Sequence, residues 1–312
     1  MEMVGVKLML LVAGSLAIFM GIKAAEINNR PIIGILAEDT VSPYGKTYIS
    51  ITYVKYLEQA GARVVPIRGN QPLTYYQMMV NFTNGILIPG GTAGFIKTAF
   101  GRSAQIVFGL ALELNKKGDY YPIWGTCLGF QALCYLVEGT NLLKPTDSSN
   151  ITWPLDFTEE AKTSRLFGPA PPEILRILAT KNVTQNEHSY SILTSDFESS
   201  TLSKFYTKLS TNKDRKGVEF ISSVEAKEYP IYGTQWHPEK NSFNWNPNYV
   251  INHDANAVKV GQYVADFFVS EARKSQHRFP NRTSEVYNLI QNFKRVYITD
   301  GSFFEFYYID PN

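Results

Sequence analysis

One cysteine held between glycines, directly after a short apolar run, constrains this 312-residue chain more than any other feature. Tyr121-Pro-Ile-Trp124 has the composition of a buried strand; Gly125-Thr-Cys-Leu-Gly129 follows without a spacer, and an apolar helical stretch runs on to Val137. Small residues on both sides of Cys127 let the backbone turn sharply and lift the side chain out of a sheet. A helix N-terminus behind the thiol supplies positive potential that favours a thiolate, and its amides are placed to face a developing oxyanion. The same residues also suit a buried structural cysteine, a frequent fate of an unpaired thiol. Cys134, inside Gln131-Ala-Leu-Cys-Tyr-Leu-Val137, has no such setting and reads as core.

A strand of that kind needs a sheet to stand in, and the flanking sequence supplies one. Pro31-Ile-Ile-Gly-Ile-Leu-Ala37 and residues 62–67 and 84–89 are further β-type runs, separated by helical spacing over residues 48–60 and 94–117. This alternation predicts a parallel sheet with both faces covered, whose sites lie at the carboxyl ends of the strands. The middle is less regular. Residues 144–150 read as a polar loop, 171–180 as a short helix opened by proline, and 182–191 as a strand and bend containing His188. Residues 202–210 and 217–224 suggest antiparallel or edge strands leading to Tyr229-Pro-Ile-Tyr-Gly-Thr-Gln-Trp-His237, and 255–274 form an amphipathic helix. Without an internal repeat or a linker, residues 26–312 are expected to be a single domain.

Compartment is read from the start of the chain. Lys7, the apolar run from Leu8 to Met20, and Ala24-Ala25 have the order of a secretory signal peptide over residues 1–25. A transmembrane anchor is the alternative, but the run is shorter than the ~20 apolar residues a bilayer needs. Sequons at Asn81, Asn150, Asn182 and Asn281 are N-glycosylation candidates once export is granted. An exported chain normally pairs its cysteines, yet Cys127 and Cys134 are the only two; on one helix their Cα atoms would stand roughly 10 Å apart, beyond disulfide reach. A free thiol then wants a reason, and catalysis is one. A formal net charge of +2 argues against a general polyanion binder, so no nucleic acid partner is expected.

A thiol nucleophile needs a base, and there are four histidines. His253 lies in an Asn-rich loop and His277 in a polar stretch, which suits surface roles. His237 stands in Thr234-Gln-Trp-His-Pro-Glu239; if the strand runs to its end there, His237 and Glu239 project to the same side, a base with its orienting carboxylate. His188, in Asn186-Glu-His-Ser-Tyr190, is open between a structural role and substrate contact.

Pro89-Gly90-Gly91, then Gly125-Thr-Cys-Leu-Gly-Phe-Gln131, then Gln235-Trp-His-Pro-Glu239, in that order, resemble the class I glutamine amidotransferase superfamily. Within it, the leader, the Pro31 strand, Asn186-Glu-His-Ser and Trp-His-Pro-Glu-Lys-Asn241 are similar to the gamma-glutamyl hydrolase family, lysosomal and secreted enzymes that trim folate poly-gamma-glutamates. The resemblance covers essentially all of the mature chain. It implies an α/β fold, a three-layer α/β/α sandwich around a mostly parallel sheet. It makes Cys127 the nucleophile, His237 the proton donor and acceptor, Glu239 the third member, and the amides of Gly91 and Leu128 the oxyanion hole, with Gln131, His188 and Gln235 contacting substrate. It implies a small-molecule substrate, no cofactor, no metal and no membrane after signal cleavage, and leaves a homodimer open. Glutamine's side-chain amide and a γ-glutamyl peptide bond are amides of the same γ-carboxyl, so attack by Cys127 gives one thioester from either. Two other readings stand beside hydrolysis: an amidotransferase subunit serving a partner, and an inactive secreted binding protein of the same fold.

Overall fold

The computed structural model describes residues 27–310, and the signal peptide expected at 1–25 lies outside them. The first half alternates as its apolar runs require. It comprises β1 (Ile32–Leu36), β2 (Glu38–Ser42), β3 (Gly45–Ser50), α1 (Ile51–Gln59), β4 (Arg63–Ile67), α2 (Leu73–Phe82), β5 (Ile86–Ile88), α3 (Ala99–Lys116), β6 (Ile123–Thr126) and α4 (Leu128–Glu138). The second half holds β7 (Leu143–Trp153), β8 (Asp156–Phe157), α5 (Pro172–Thr180), β9 (Thr184–Ile192), α6 (Thr194–Ser199), α7 (Leu202–Phe205), β10 (Tyr206–Lys213), β11 (Glu219–Ala226) and β12 (Ile231–Thr234). It continues with α8 (Lys240–Phe243), α9 (Ala255–Ala272), α10 (Arg282–Asn288), β13 (Lys294–Tyr297) and β14 (Glu305–Asp310).

An eight-stranded sheet in the order β4-β1-β5-β6-β12-β11-β10-β8 forms the centre. Its pairs from β4 to β12 are parallel and those from β12 to β8 antiparallel. The parallel strands are apolar at nearly every position because successive side chains enter opposite layers, both of them dry. Ile33, Ile35, Val64, Trp124 and Tyr232 pack with α1, α5 and α9 on one face. Ile32, Leu36, Val65, Ile88 and Ile123 pack with α2, α3 and α4 on the other. The result is the three-layer α/β/α sandwich expected.

Several local expectations are corrected. The helix expected over 48–60 begins at Ile51, with Ser50 capping it through its hydroxyl on the Thr52 amide; residues 48–50 end β3. Pairing with β14 claims them (Tyr48 opposite Tyr308, Ile49 opposite Tyr307), a partner some 260 residues away that helical spacing does not reveal. That pairing builds a second sheet, β13-β14-β3-β2. Residues 144–150 form part of β7, not a loop, pairing antiparallel with β9 away from the central core, which is why they are polar. Residues 202–205 make a short helix before β10, and the helix expected from 94 starts at Ala99 behind a Thr98 cap. Helix α2 was not foreseen.

The joint between α4 and the sheet leaves no space for side chains. A Cβ on Gly129 would lie 2.0 Å from the Ile88 carbonyl oxygen. Gly129→Ala is therefore expected to lower stability in urea unfolding by about 1–3 kcal/mol, the cost of forcing a methylene into a packed interior; an unchanged midpoint would refute the close approach.

Candidate active site

Strands β6 and β12 are parallel neighbours with Thr126 opposite Thr234, so the chain leaves both at the same end of the sheet. Cys127 sits at that exit with φ 51° and ψ −108°, a left-handed conformation unusual for a residue with a side chain. Its amide donates to the Thr234 carbonyl at 2.7 Å, which fixes the elbow against the neighbouring strand, and its carbonyl accepts from Gln131 at 3.0 Å as α4 begins. Cys134 lies within α4, and burial pushes its thiol well up, the behaviour of a core residue. Both cysteines are free.

His237 reaches the same place by a different route from the one expected. β12 stops at Thr234, and residues 235–239 bend away, pinned by the His237 amide donating to the Gln185 carbonyl of β9 at 2.8 Å. Glu239 comes to the imidazole through the turn before α8, not through strand alternation: Nδ1 and Oε1 are 2.7 Å apart with both side chains buried. The Tyr53 hydroxyl lies 3.4 Å from the same nitrogen and accepts the Gly90 amide at 2.8 Å. With Nδ1 so engaged, Nε2 is the nitrogen left for proton exchange. A Cβ on Gly90 would lie 2.7 Å from His237 Cε1 and 2.9 Å from both Cys127 Cβ and the Tyr53 oxygen, so the three side chains converge over a residue that has to be glycine.

Electrostatics favours a charged imidazole. Burial and the Lys240 charge push His237 down, but the Glu239 carboxylate and the Cys127 sulfur outweigh them and raise it to about 9. Burial pushes Glu239 up, and His237 more than reverses this, holding the carboxyl below its usual range. A thiol beside an imidazole oriented by a carboxylate is the arrangement that makes a sulfur nucleophile and returns its proton to a leaving group.

The side chains open on a cleft of about 270 Å³ whose walls include Tyr48, Gly91, Glu187, Lys240, Tyr249 and Phe306. Glu38 also lines it, pressed so closely on Gly91 that a Cβ there would lie 1.6 Å from its Oε2. Burial raises the Glu38 carboxyl to about 8, with Tyr48 and the amides of Thr92 and Ala93 pulling the other way.

Of the other residues singled out in the sequence, Gly91 lines the cleft and Leu128 opens α4 directly behind the thiol. Gln131 and Gln235 meet each other, Nε2 to Oε1 at 3.1 Å, and Gln131 also donates to the Tyr190 carbonyl. His188 is buried with Nε2 on Asn186 and Nδ1 on Ser191, both at 3.0 Å; its neighbour Glu187 lines the cleft and brings its carbonyl to 3.9 Å from Cys127 Sγ. Burial, then the His237 charge, depress His188 to about 3, so it stays neutral beside a charged imidazole. His253 stacks on Trp245 with ring centres 4.0 Å apart, and His277 bridges Val80 and Asp119; both are partly buried and more engaged than surface roles require. Asn81, Asn182 and Asn281 are exposed, whereas Asn150 is half-buried and donates its Nδ2 to the Asn248 carbonyl. Among the described residues no His/Cys/Asp/Glu group is arranged to hold a metal, and no helix is long and apolar enough to cross a membrane.

Tyr53, Glu38, Glu187 and Lys240 are among the cleft residues to which the sequence alone assigns no role. In sequence Tyr53 is one more residue in the helical spacing of 48–60, and only its contact with Gly90 distinguishes it.

The fold is that of the class I glutamine amidotransferases. The glutaminase domain of Trypanosoma brucei CTPS with bound acivicin superposes with a TM-score of 0.53 at 15% identity, covering 80% of this chain and 96% of that one. Residues 31–239 match the Peptidase C26 family. The Mus musculus gamma-glutamyl hydrolase is 45% identical over 282 residues, 89% of each chain, and the Homo sapiens gamma-glutamyl hydrolase 40% identical over 305 residues, 96% of each. The chain belongs to the Peptidase C26 family, among the gamma-glutamyl hydrolases, and is an enzyme of the hydrolase class.

Glu38 gives the site a pH signature in stability. Its folded value of about 8 lies above the ordinary 4.5, so the folded form holds a proton that the unfolded form releases in between. The stability this represents is complete below about 4.5 and is lost as pH rises through 8. The melting temperature of the wild type should therefore fall more steeply from pH 5 to pH 9 than that of Glu38→Gln. Parallel curves would show that Glu38 ionises normally.

Proposed function

We propose that the chain hydrolyses the γ-glutamyl peptide bonds of folate poly-gamma-glutamates through a γ-glutamyl thioester on Cys127. The carrying observation is the convergence of Cys127, His237 and Glu239 beside one cleft, in a chain whose relatives are named gamma-glutamyl hydrolases. In this mechanism His237, charged before the attack, already holds at Nε2 the proton that the nucleophile gives up; Sγ bonds to the γ-carbonyl carbon, and the amides of Gly91 and Leu128 receive the oxyanion. The imidazolium then protonates the departing nitrogen as the C–N bond breaks. His237 next takes a proton from water, whose oxygen attacks the thioester, and keeps that proton as the C–S bond breaks, which restores the charged imidazole beside the sulfur. Glu239 holds the ring with Nε2 toward the thiol and stabilises its charged form. Gln131, His188 and Gln235 stand behind the residues that line the cleft, Gln131 bonded to Gln235 and His188 held in place by Asn186 and Ser191, so their part in binding substrate is to support that lining.

We place the enzyme in the secretory route, as a secreted and lysosomal protein. The leader-like residues 1–25 and the exposed sequon asparagines Asn81, Asn182 and Asn281 support this reading.

The direct experiment is incubation with a pteroyl poly-gamma-glutamate and measurement of product chain lengths. Shortened products are expected from the wild type; an unchanged ladder together with free ammonia from glutamine would favour the amidotransferase reading.

Cys127→Ala should abolish turnover in a folded protein, whereas Cys134→Ala should keep most of it, losing only the stability of a modest core truncation. His237→Ala should fall nearly as far as Cys127→Ala, because thiol and base act as one unit. Glu239→Ala should retain measurable rate, since a thiol and a base remain. If Glu239→Ala were as inert as Cys127→Ala, the ranking of roles would be wrong.

A further inference from the structure

The cleft is acidic apart from two groups. Glu38, Glu187 and Glu239 line it, His237 is committed to Glu239, and Lys240 is the remaining cation among the lining residues. Lys240 follows the Glu239 position directly, at the start of α8, and holds its Nζ 5.1 Å from the centre of the Tyr249 ring, itself a wall of the cleft. No carboxylate among the described residues lies within ion-pair distance of it, although twelve other cation–carboxylate pairs and the His237–Glu239 pair do form. Its charge is felt at the imidazole of His237 and at Glu239, which places it near the reacting atoms.

We propose that Lys240 is the specificity-determining residue that receives the α-carboxylate of the γ-glutamyl residue being transferred to Cys127. The inference rests on the γ-glutamyl hydrolase reading and adds to it the group that distinguishes this acyl residue from any other. In a γ-glutamyl group the α-carboxylate is four bonds from the carbonyl carbon that the thiol attacks. A substrate seated with that carbon at Cys127 must therefore bring a negative charge into the cleft. Glu187 repels it and Glu239 is already paired, so Lys240 is its complement. The Tyr249 face holds the ammonium in place through a cation–π contact and, offering no negative charge, leaves it open to an anion. The α-carboxylate of the leaving residue lies on the other side of the scissile bond and is not assigned to Lys240.

The test compares N-acetyl-L-γ-glutamyl-p-nitroanilide with its α-carboxamide analogue, so that the leaving group carries no carboxylate. The wild type should prefer the carboxylate in kcat/KM by roughly tenfold to a hundredfold, the range for one charged contact made in a partly desolvated site. Lys240→Met should lose that preference by falling on the carboxylate alone, largely through KM, and Lys240→Arg should keep most of it. Iodoacetamide alkylation of Cys127 in Lys240→Met reports that the folded thiol site persists. Equal losses on both substrates with a shifted pH profile would make Lys240 a tuner of His237 and overturn the proposal, as would undiminished discrimination in Lys240→Met. Turnover of neither compound by the wild type would sink the γ-glutamyl reading itself, and this inference with it.

Discussion

The structure hangs on how closely α4 approaches the sheet. Gly125 and Gly129 have no room for a Cβ: one would meet Leu133 and the Gly129 backbone, the other the carbonyl of Ile88. Because the helix axis lies that near the strands, the chain has to turn within one residue, and the residue that turns is Cys127 at φ 51°. The strain is held by the Thr234 carbonyl on one side and the first turn of α4 on the other. An identical sulfur on a relaxed loop would be free to rotate away from the imidazole. Here the backbone has already spent the conformational freedom, so little ordering is left for the chemical step.

Around that fixed sulfur, two buried histidines are held in opposite states. His237 is kept charged by Glu239 despite burial, and His188, lacking a carboxylate and repelled by His237, is kept neutral. Two imidazoliums side by side in a dry site would be costly, and the neighbours decide which ring carries the proton. The His237–Glu239 pair is correspondingly sensitive: deleting one partner of a buried pair leaves an uncompensated charge, typically about 3–5 kcal/mol of destabilisation. Activity lost by variants at either position is therefore interpretable only alongside their stability.

The contrast between what the sequence disclosed and what it hid follows contact distance along the chain. Cys127 was legible because its turn, its glycines and its helix are contiguous, and the buried parallel strands because continuous apolar runs have few alternatives. His237 and Glu239 were legible as a pair, though a turn and not a strand brings them together. Tyr53 and Glu38 were hidden because their meaning depends on the Gly90–Gly91 segment, about 40 and 50 residues away and reached only through sheet topology. β7 was hidden for the complementary reason. It is polar because its partner is β9 rather than the core, and its pattern is therefore that of a loop.

On the proposed function, selectivity falls in the chain's least legible part. The family match ends at residue 239, the last of the proposed catalytic positions, yet Lys240, Asn244, Tyr249, Phe304 and Phe306 line the cleft beyond it. Phe306 arrives because β14 pairs with β3, and β3 leads through Ser50 into the helix that carries Tyr53. The wall that a substrate meets and the helix that steadies the imidazole are thus parts of one hydrogen-bonded structure. The C-terminal strand is thereby joined to His237 through β3, α1 and the Tyr53 hydroxyl, a continuous run of contacts between residues about 250 positions apart in sequence.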